Sequence, residues 1–203
     1  MEMDPEILFL DTAIAVVSKP AMLMVEPDRF GNPNLQDWAE KEFGGITWAV
    51  HRLDRPTSGL VVLARKKYSC THLMRQFEMR TVKKRYKLKS HIELPEGTWI
   101  WEDFLKKDHL NFKSLIVSND EGKRASLRGV RIDRNSAEVE LFTGRYHQIR
   151  AQASHRGYPI LGDVFYGGNA WDNEGVALHA SHLSFCHPKT NEELIFDSDT
   201  NRF

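Results

Sequence analysis

The stretch Ala49–Arg65 reads AVHRLDRPTSGLVVLAR and passes from a dense polar block, His51–Gly59, straight into an apolar run, Leu60–Ala64. A short apolar run bounded by turn residues predicts a strand buried on both faces, and Gly59–Ala64 is the best such segment in the chain. One carboxylate, Asp54, stands in the polar block among Arg52, Arg55, Thr57 and Ser58. Loops held by rigid elements are where chemistry tends to be placed. A carboxylate nucleophile must be ionised and close to a cation, and the flanking arginines meet that need. A structural Asp–Arg pair in a turn has the same spacing and is its commoner use.

Upstream, Ile7–Leu10 and Ile14–Ser18 read as short strands, the second ended by Lys19-Pro20. Asn34 is placed to cap a helix over Leu35–Phe43 with Leu35, Trp38, Ala39 and Phe43 on one face, closed by Gly44-Gly45. Downstream, a helix is predicted over about Ser69–Met79 with Cys70, Leu73 and Phe77 inward and Arg75 and Glu78 outward. The segment TVKKRYKLKS (Thr81–Ser90) then alternates Tyr86, Leu88 and Ser90 with Arg85, Lys87 and Lys89, a strand with one wet, basic face. Thr98–Leu105, Phe112–Val117, Ala125–Asp133 and Ala137–Phe142 read as an antiparallel meander separated by turns. A helix over His147–Arg156 ends at Gly157, and Val176–Ala180, Ser181–Cys186 and Glu193–Phe196 read as closing strands.

The chain has 203 residues, is 41% apolar and contains five Trp, enough for a packed core. It has no apolar run long enough to span a bilayer, and its start, MEMDPEILFLD, lacks the features of a signal peptide. Cys70 and Cys186 form no paired motif, which predicts reduced thiols in a cytoplasmic protein. Net charge is zero, but residues 51–90 hold twelve Lys/Arg against two Asp/Glu, a local charge of +10. Such a block suits a phosphate-rich partner, and a solvated basic face has the same composition.

Two further constellations carry chemistry. Tyr86, set among lysines and Arg85, has the surroundings of an aromatic platform for an unpaired base, and equally those of a core tyrosine on the dry side of its strand. In TGRYHQIR (Thr143–Arg150) a glycine turn opens a helix whose free N–H groups suit an anion, with Arg145 and Arg150 nearby. Solvated arginines on a helix fit that spacing too. His179, His182 and His187 with Cys186 match no established metal-ligand spacing, and no phosphate-binding or dinucleotide glycine motif is present, so neither metal nor nucleotide cofactor is expected.

Taken together these motifs resemble one family. HRLDRPTSG at His51–Gly59 closely resembles the signature of the RluA-type pseudouridine synthases, HRLD followed by TSG. Further matches fall in the family's order: VVSKP at Val16–Pro20, Lys84-Arg85-Tyr86, TGRYHQIR at Thr143–Arg150, PILGD at Pro159–Asp163 with Tyr166-Gly167, and the His179–Pro188 segment. The resemblance runs from about Leu8 to Phe196. It implies an α+β fold with a mixed, mainly antiparallel central sheet and flanking helices. It also implies isomerisation of uridine to pseudouridine in tRNA or rRNA, without metal or organic cofactor. By position, Asp54 matches the catalytic aspartate, Tyr86 the tyrosine that stacks on the base and takes part in proton transfer, and Arg150 the arginine that pairs with the aspartate. Arg52 matches an arginine associated with base flipping. His51, Arg55, Thr57, Lys84, Arg145 and His147 are expected to contact the RNA. Whether the carboxylate attacks C1′ or first assists removal of the C2′ proton is left open by the sequence.

The family often has Gly after the first Lys-Pro, where this chain has Ala21, so loop shape is expected to differ there. We expect a single catalytic domain over residues 1–203 without an appended N-terminal RNA-binding domain, which tilts the expected substrate toward tRNA, and a cytoplasmic monomer. The alternative is a non-catalytic RNA-binding or RNA-folding protein on the same scaffold. An unrelated hydrolase is a third reading, distinguished by release of a free base or phosphate.

Overall fold

The computed structural model of the chain describes residues 4–199 and 203. In chain order the elements are β1 (Glu6–Leu10), β2 (Ile14–Lys19), α1 (Leu35–Phe43), β3 (Trp48–Ala49), β4 (Ser58–Ala64), α2 (Lys67–Glu78), β5 (Lys83–Lys89), β6 (Thr98–Asp108), β7 (Lys113–Val117), β8 (Lys123–Arg131), β9 (Ser136–Leu141), α3 (Gln148–His155), a 3₁₀ turn at Val164–Tyr166, β10 (Leu178–Cys186) and β11 (Glu193–Asp197). Among the described residues, mixed pairing of eleven strands with three α-helices makes this an α+β fold, as the sequence predicts. The chain divides into two compact units, one formed by the residues up to Lys84 together with those from His179 to 199, the other by Arg85–Leu178 with Phe203.

In the first unit β4 is buried at every position, as its unbroken apolar run requires. β2 lies antiparallel to it from Ile14↔Ala64 to Lys19↔Gly59, and β10 runs parallel through His179↔Ser58 and Ala180↔Gly59. β1 adds to β2, β3 to β4 and β11 to β10. Ile14, Val16, Leu60, Val62, Leu73, Leu183 and Phe185 form the core, with Cys70 and Phe77 packed against it. α1 starts where Asn34 accepts the Asp37 N–H at 2.9 Å and stops at Gly44 and Gly45, both left-handed. α2 begins two residues before the predicted start. Its Gln76, polar yet buried, bonds both the N–H and the carbonyl of Cys186 at 2.8 and 2.7 Å, clamping the end of β10.

β10 is one strand, where the sequence reading breaks it at Ala180/Ser181. Polar residues on either side of that point are buried in the continuous strand, His179 being satisfied by the hydroxyls of Ser58 at 2.9 Å and Ser198 at 3.2 Å. Cys70 and Cys186 are free thiols.

In the second unit the strands follow the order β5-β9-β8-β6-β7, all antiparallel. Tyr86 and Leu88 face inward, as their alternation predicts. The basic face of β5 is drier and less positive than expected. Arg85, Lys87 and Lys89 are half-buried, the register sets Arg85 against Glu140 and Lys87 against Glu138, and Arg85 pairs with Glu138 at 3.0 Å. Arg128 takes Glu140 at 2.8 Å. Carboxylates on β9 thus offset charge that a count along the sequence leaves uncompensated.

Candidate active site

Asp54 sits half-buried in the loop that feeds β4. The Thr57 N–H donates to the Asp54 carbonyl at 3.0 Å, closing a turn through Arg55 and Pro56. A second tether comes from Lys19 at the end of β2. This lysine is buried, and its ammonium donates to the carbonyls of Pro20 at 2.8 Å, Leu23 at 2.7 Å and Arg55 at 3.4 Å. Arg55 returns the contact, its Nε donating to the Met22 carbonyl at 3.2 Å. Met22, the residue after Ala21, is left-handed at φ 65°. Replacing Lys19 by Met removes the donor for three carbonyls. We expect a cost of about 1–3 kcal/mol in urea unfolding, with lowered activity from a loosened Asp54 loop.

In the Thr57-Ser58-Gly59 triplet the serine and the glycine each have a structural reason. Ser58 bonds His179, and Thr57 is buried with its hydroxyl unpartnered among the described residues. Gly59 has φ 113° and lies so close to β10 that a Cβ would stand 2.4 Å from the Ala180 carbonyl oxygen. Only glycine fits there. Arg52 and Arg55 are exposed, and Arg52 lies 3.6 Å from Glu26.

His51 is engaged differently from the RNA contact expected of it. Its ring stacks on Phe77 with centroids 4.6 Å apart, and its Nε2 accepts the Val62 N–H at 3.1 Å, which leaves the proton on Nδ1. Burial, and then the charge of Lys84, push its pKa down to about 3. Lys84 lies 5.8 Å from the centre of the same Phe77 ring, and burial followed by Arg80 lowers its pKa as well. His51 is therefore a neutral packing residue, and Lys84 shares its ammonium with an aromatic ring. Below the ordinary histidine pKa of 6.5 the unfolded chain binds a proton that the fold refuses until about pH 3. Stability is therefore expected to fall as pH drops through this window, by about 1.4 kcal/mol per pH unit from this residue. Urea unfolding at several pH values should show His51→Gln losing about one proton of that dependence.

In the second unit Tyr86 faces inward on β5, opposite Val139. TGRYHQIR is a self-bonded turn. Gln148 Oε1 accepts from the Thr143 hydroxyl at 2.7 Å and the Arg145 N–H at 3.0 Å, and Gln148 Nε2 donates to the Ser126 carbonyl at 3.2 Å. The N–H of Arg145, which the sequence offers to an anion, is thus used within the turn. Arg145 Nε donates to the Arg124 carbonyl at 2.9 Å. His147 is the left-handed residue, φ 49°, from which α3 departs.

Arg150 is 4% exposed and makes a bidentate ion pair with Asp163, itself 1% exposed, at 2.7 and 2.8 Å. The Tyr166 ring centre lies 5.1 Å from its guanidinium, and the Tyr166 hydroxyl contacts His147 Nδ1 at 3.1 Å and receives the Ser114 N–H at 2.7 Å. The loop holding Asp163 is tight: the Gly168 N–H donates to the Asp163 carbonyl, and a Cβ on Gly168 would stand 2.0 Å from the Ile160 carbonyl. Asp163 and Lys19 lie in the quoted motifs PILGD and VVSKP, but the sequence reading gave neither a role.

The structure thus sets His51, Arg52, Asp54, Arg55 and Thr57 on one loop of the first unit, with Lys84 beside His51. It sets Arg145, His147 and Arg150 on one turn and helix of the second unit, which also carries Tyr86. A cavity of about 500 Å³ at the other end of β4, between Gly44–Trp48 and Arg65–Lys67, contains none of these residues. Among the described residues no group of three His, Cys, Asp or Glu is disposed to hold a metal ion, and no helix is long and apolar enough to cross a membrane.

Comparison with known proteins agrees with the motifs. Residues 13–155 match the family model described as RNA pseudouridylate synthase. The chain is 34% identical to the dual-specificity RNA pseudouridine synthase RluA of Vibrio parahaemolyticus, over 95% of this chain and 88% of that protein. It is 32% identical to the ribosomal large subunit pseudouridine synthase D of Zymomonas mobilis, over 96% of this chain and 68% of that protein. Among solved structures, human RNA pseudouridylate synthase domain containing 1 shares the fold at a TM-score of 0.82 and 21% identity, covering 97% of this chain and 84% of that one. With the HRLD and TGRxHQIR elements each accounted for in the structure, the chain belongs to the RNA pseudouridylate synthase family, enzymes that isomerise uridine in RNA.

Proposed function

We propose that this chain converts uridine to pseudouridine in folded cellular RNA, with Asp54 as the nucleophile. The observation that carries the assignment is the tethering of the Asp54 loop: a half-buried carboxylate on a turn fixed by the Thr57 N–H, the buried Lys19 ammonium and the Arg55–Met22 bond. A nucleophile held by its backbone needs little reorganisation to reach its target. Family membership supports the same residue.

In this reading a carboxylate oxygen of Asp54 attacks C1′ of a flipped uridine as the C1′–N1 bond breaks and uracil leaves with the electron pair. The base turns, C5 attacks C1′, and the carboxylate is released. Tyr86 takes part in moving the C5 proton, and N1 is reprotonated, so the balance closes with no added reactant. Flipping the base costs about a few kcal/mol of stacking, which phosphate contacts by Arg52, Arg55 and Arg145 would help offset. We place the enzyme in the cytoplasm with its RNA and favour tRNA as substrate. One relative's name specifies the large ribosomal subunit and another dual specificity, so both RNA pools belong in the test.

The test is pseudouridine mapping of total tRNA and rRNA from cells with and without this protein, repeated with purified enzyme on RNA from the deficient cells. We expect discrete uridines to be modified only in its presence. Binding of RNA with no uridine isomerised in either pool would sink the proposal and leave a non-catalytic RNA-binding protein.

A further inference from the structure

The hairpin between β6 and β7 carries its least expected residues at the tip. Leu110 is 89% exposed and Phe112 66% exposed. A floppy loop would fold such side chains back; this tip is braced against doing so. Asp108 accepts the N–H groups of Leu110 at 2.9 Å and Asn111 at 3.2 Å, and its second oxygen takes the Asn111 side chain at 2.7 Å. Phe112 is held left-handed at φ 53°, unfavourable for a residue with a bulky side chain, and its carbonyl accepts the Tyr146 hydroxyl at 3.3 Å. Strain retained at an exposed apolar tip points to a partner for it.

The surroundings say which partner. The Lys107 ammonium lies 4.6 Å from the Tyr146 ring centre, and that of Lys113 lies 4.5 Å from the Phe165 ring centre. Neither lysine has a carboxylate partner among the described residues, and the carboxylate at the tip, Asp108, is occupied by the turn. Apolar side chains presented between unneutralised cations and the half-buried Tyr146 and exposed Phe165 rings suit a polymer with flat bases on a phosphate backbone. A purely apolar partner would leave the cations without counter-charge.

We propose that His109–Phe112 is a wedge that packs Leu110 and Phe112 against bases of the folded RNA substrate while Lys107 and Lys113 hold the flanking phosphates. This rests on the reading of the chain as an enzyme acting on folded RNA and assigns part of its RNA selectivity to a hairpin outside the shared motifs.

The test uses the full chain, with total tRNA and deproteinised rRNA as probes, and follows binding against salt concentration and pseudouridine formation in parallel. Leu110→Asn/Phe112→Gly keeps a left-handed residue where the backbone needs one, so the melting temperature should not fall. Its RNA affinity is expected to drop about 10- to 100-fold with the salt slope unchanged, because bases rather than phosphates are lost. Lys107→Gln/Lys113→Gln should instead reduce the slope of log affinity against log salt by about 1.5. Unchanged affinity in the first variant, or a loss that follows the salt slope, overturns the wedge. If affinity falls as expected while the wild type forms no pseudouridine in either pool, the wedge stands and the enzymatic reading fails.

Discussion

Asp54→Asn is expected to abolish pseudouridine formation, by a factor of about 10⁴ or more, while the protein stays folded and binds RNA. Asparagine fills the same volume, and the turn that positions residue 54 is closed through its backbone carbonyl, which the substitution does not touch. What is lost is a negative oxygen able to form and then release a bond to C1′. RNA affinity should be equal or higher, since a carboxylate is removed from a loop flanked by Arg52 and Arg55. The checks are isomerisation per enzyme under single turnover, the melting temperature, and RNA binding. Modification by purified Asp54→Asn at more than about a hundredth of the wild-type rate would end the nucleophile assignment. Loss of folding would show that the residue acts through the loop.

The parts of the fold that the sequence made legible are those whose information is local. The unbroken apolar run of β4, the Asn34 cap of α1 and the alternation around Tyr86 each depend on neighbours within a few residues, and each appears as predicted. Misreadings arose where a distant partner changes a residue's meaning. Nothing local marks Gln76 and His179 as interior residues, which Cys186 and Ser58, each over a hundred positions away, satisfy. Charge behaves likewise. The tally over residues 51–90 cannot include Glu138, 53 positions beyond the arginine it neutralises.

The same division runs through the candidate site. Asp54 could be singled out in the sequence because it lies in a contiguous motif joined in order to others. Lys19 was not, because a lysine before a proline looks like a solvated strand end. Its role depends on Arg55, 36 residues later. The sequence holds no sign of the packing role of His51, whose ring lies against Phe77 and closes a backbone bond of β4. Asp163 escaped because acidic residues in glycine loops usually shape turns, and only the fold shows Arg150 beside it.

That buried pair carries the other large effect. Arg150→Met should destabilise the protein by about 3–5 kcal/mol, the typical cost of removing one member of a buried ion pair, because Asp163 then keeps a desolvated carboxylate without its guanidinium. Asp163→Leu should also destabilise, since it removes both bonds of the bidentate pair. The double variant Arg150→Met/Asp163→Leu removes both charges and is expected to recover most of the stability, since apolar replacements of buried pairs are often neutral. Pseudouridine formation separates the two roles open to Arg150. If the arginine supports Asp54 in the reaction, as the family resemblance implies, the refolded double variant stays inactive although its melting temperature returns. If its work is confined to holding α3 against the Asp163 loop, activity returns with the fold. We expect the first outcome. The bidentate pair with Asp163 fixes the guanidinium in one orientation, as a group that serves a reaction with little reorganisation requires. A double variant as active as the wild type would remove Arg150 from the mechanism.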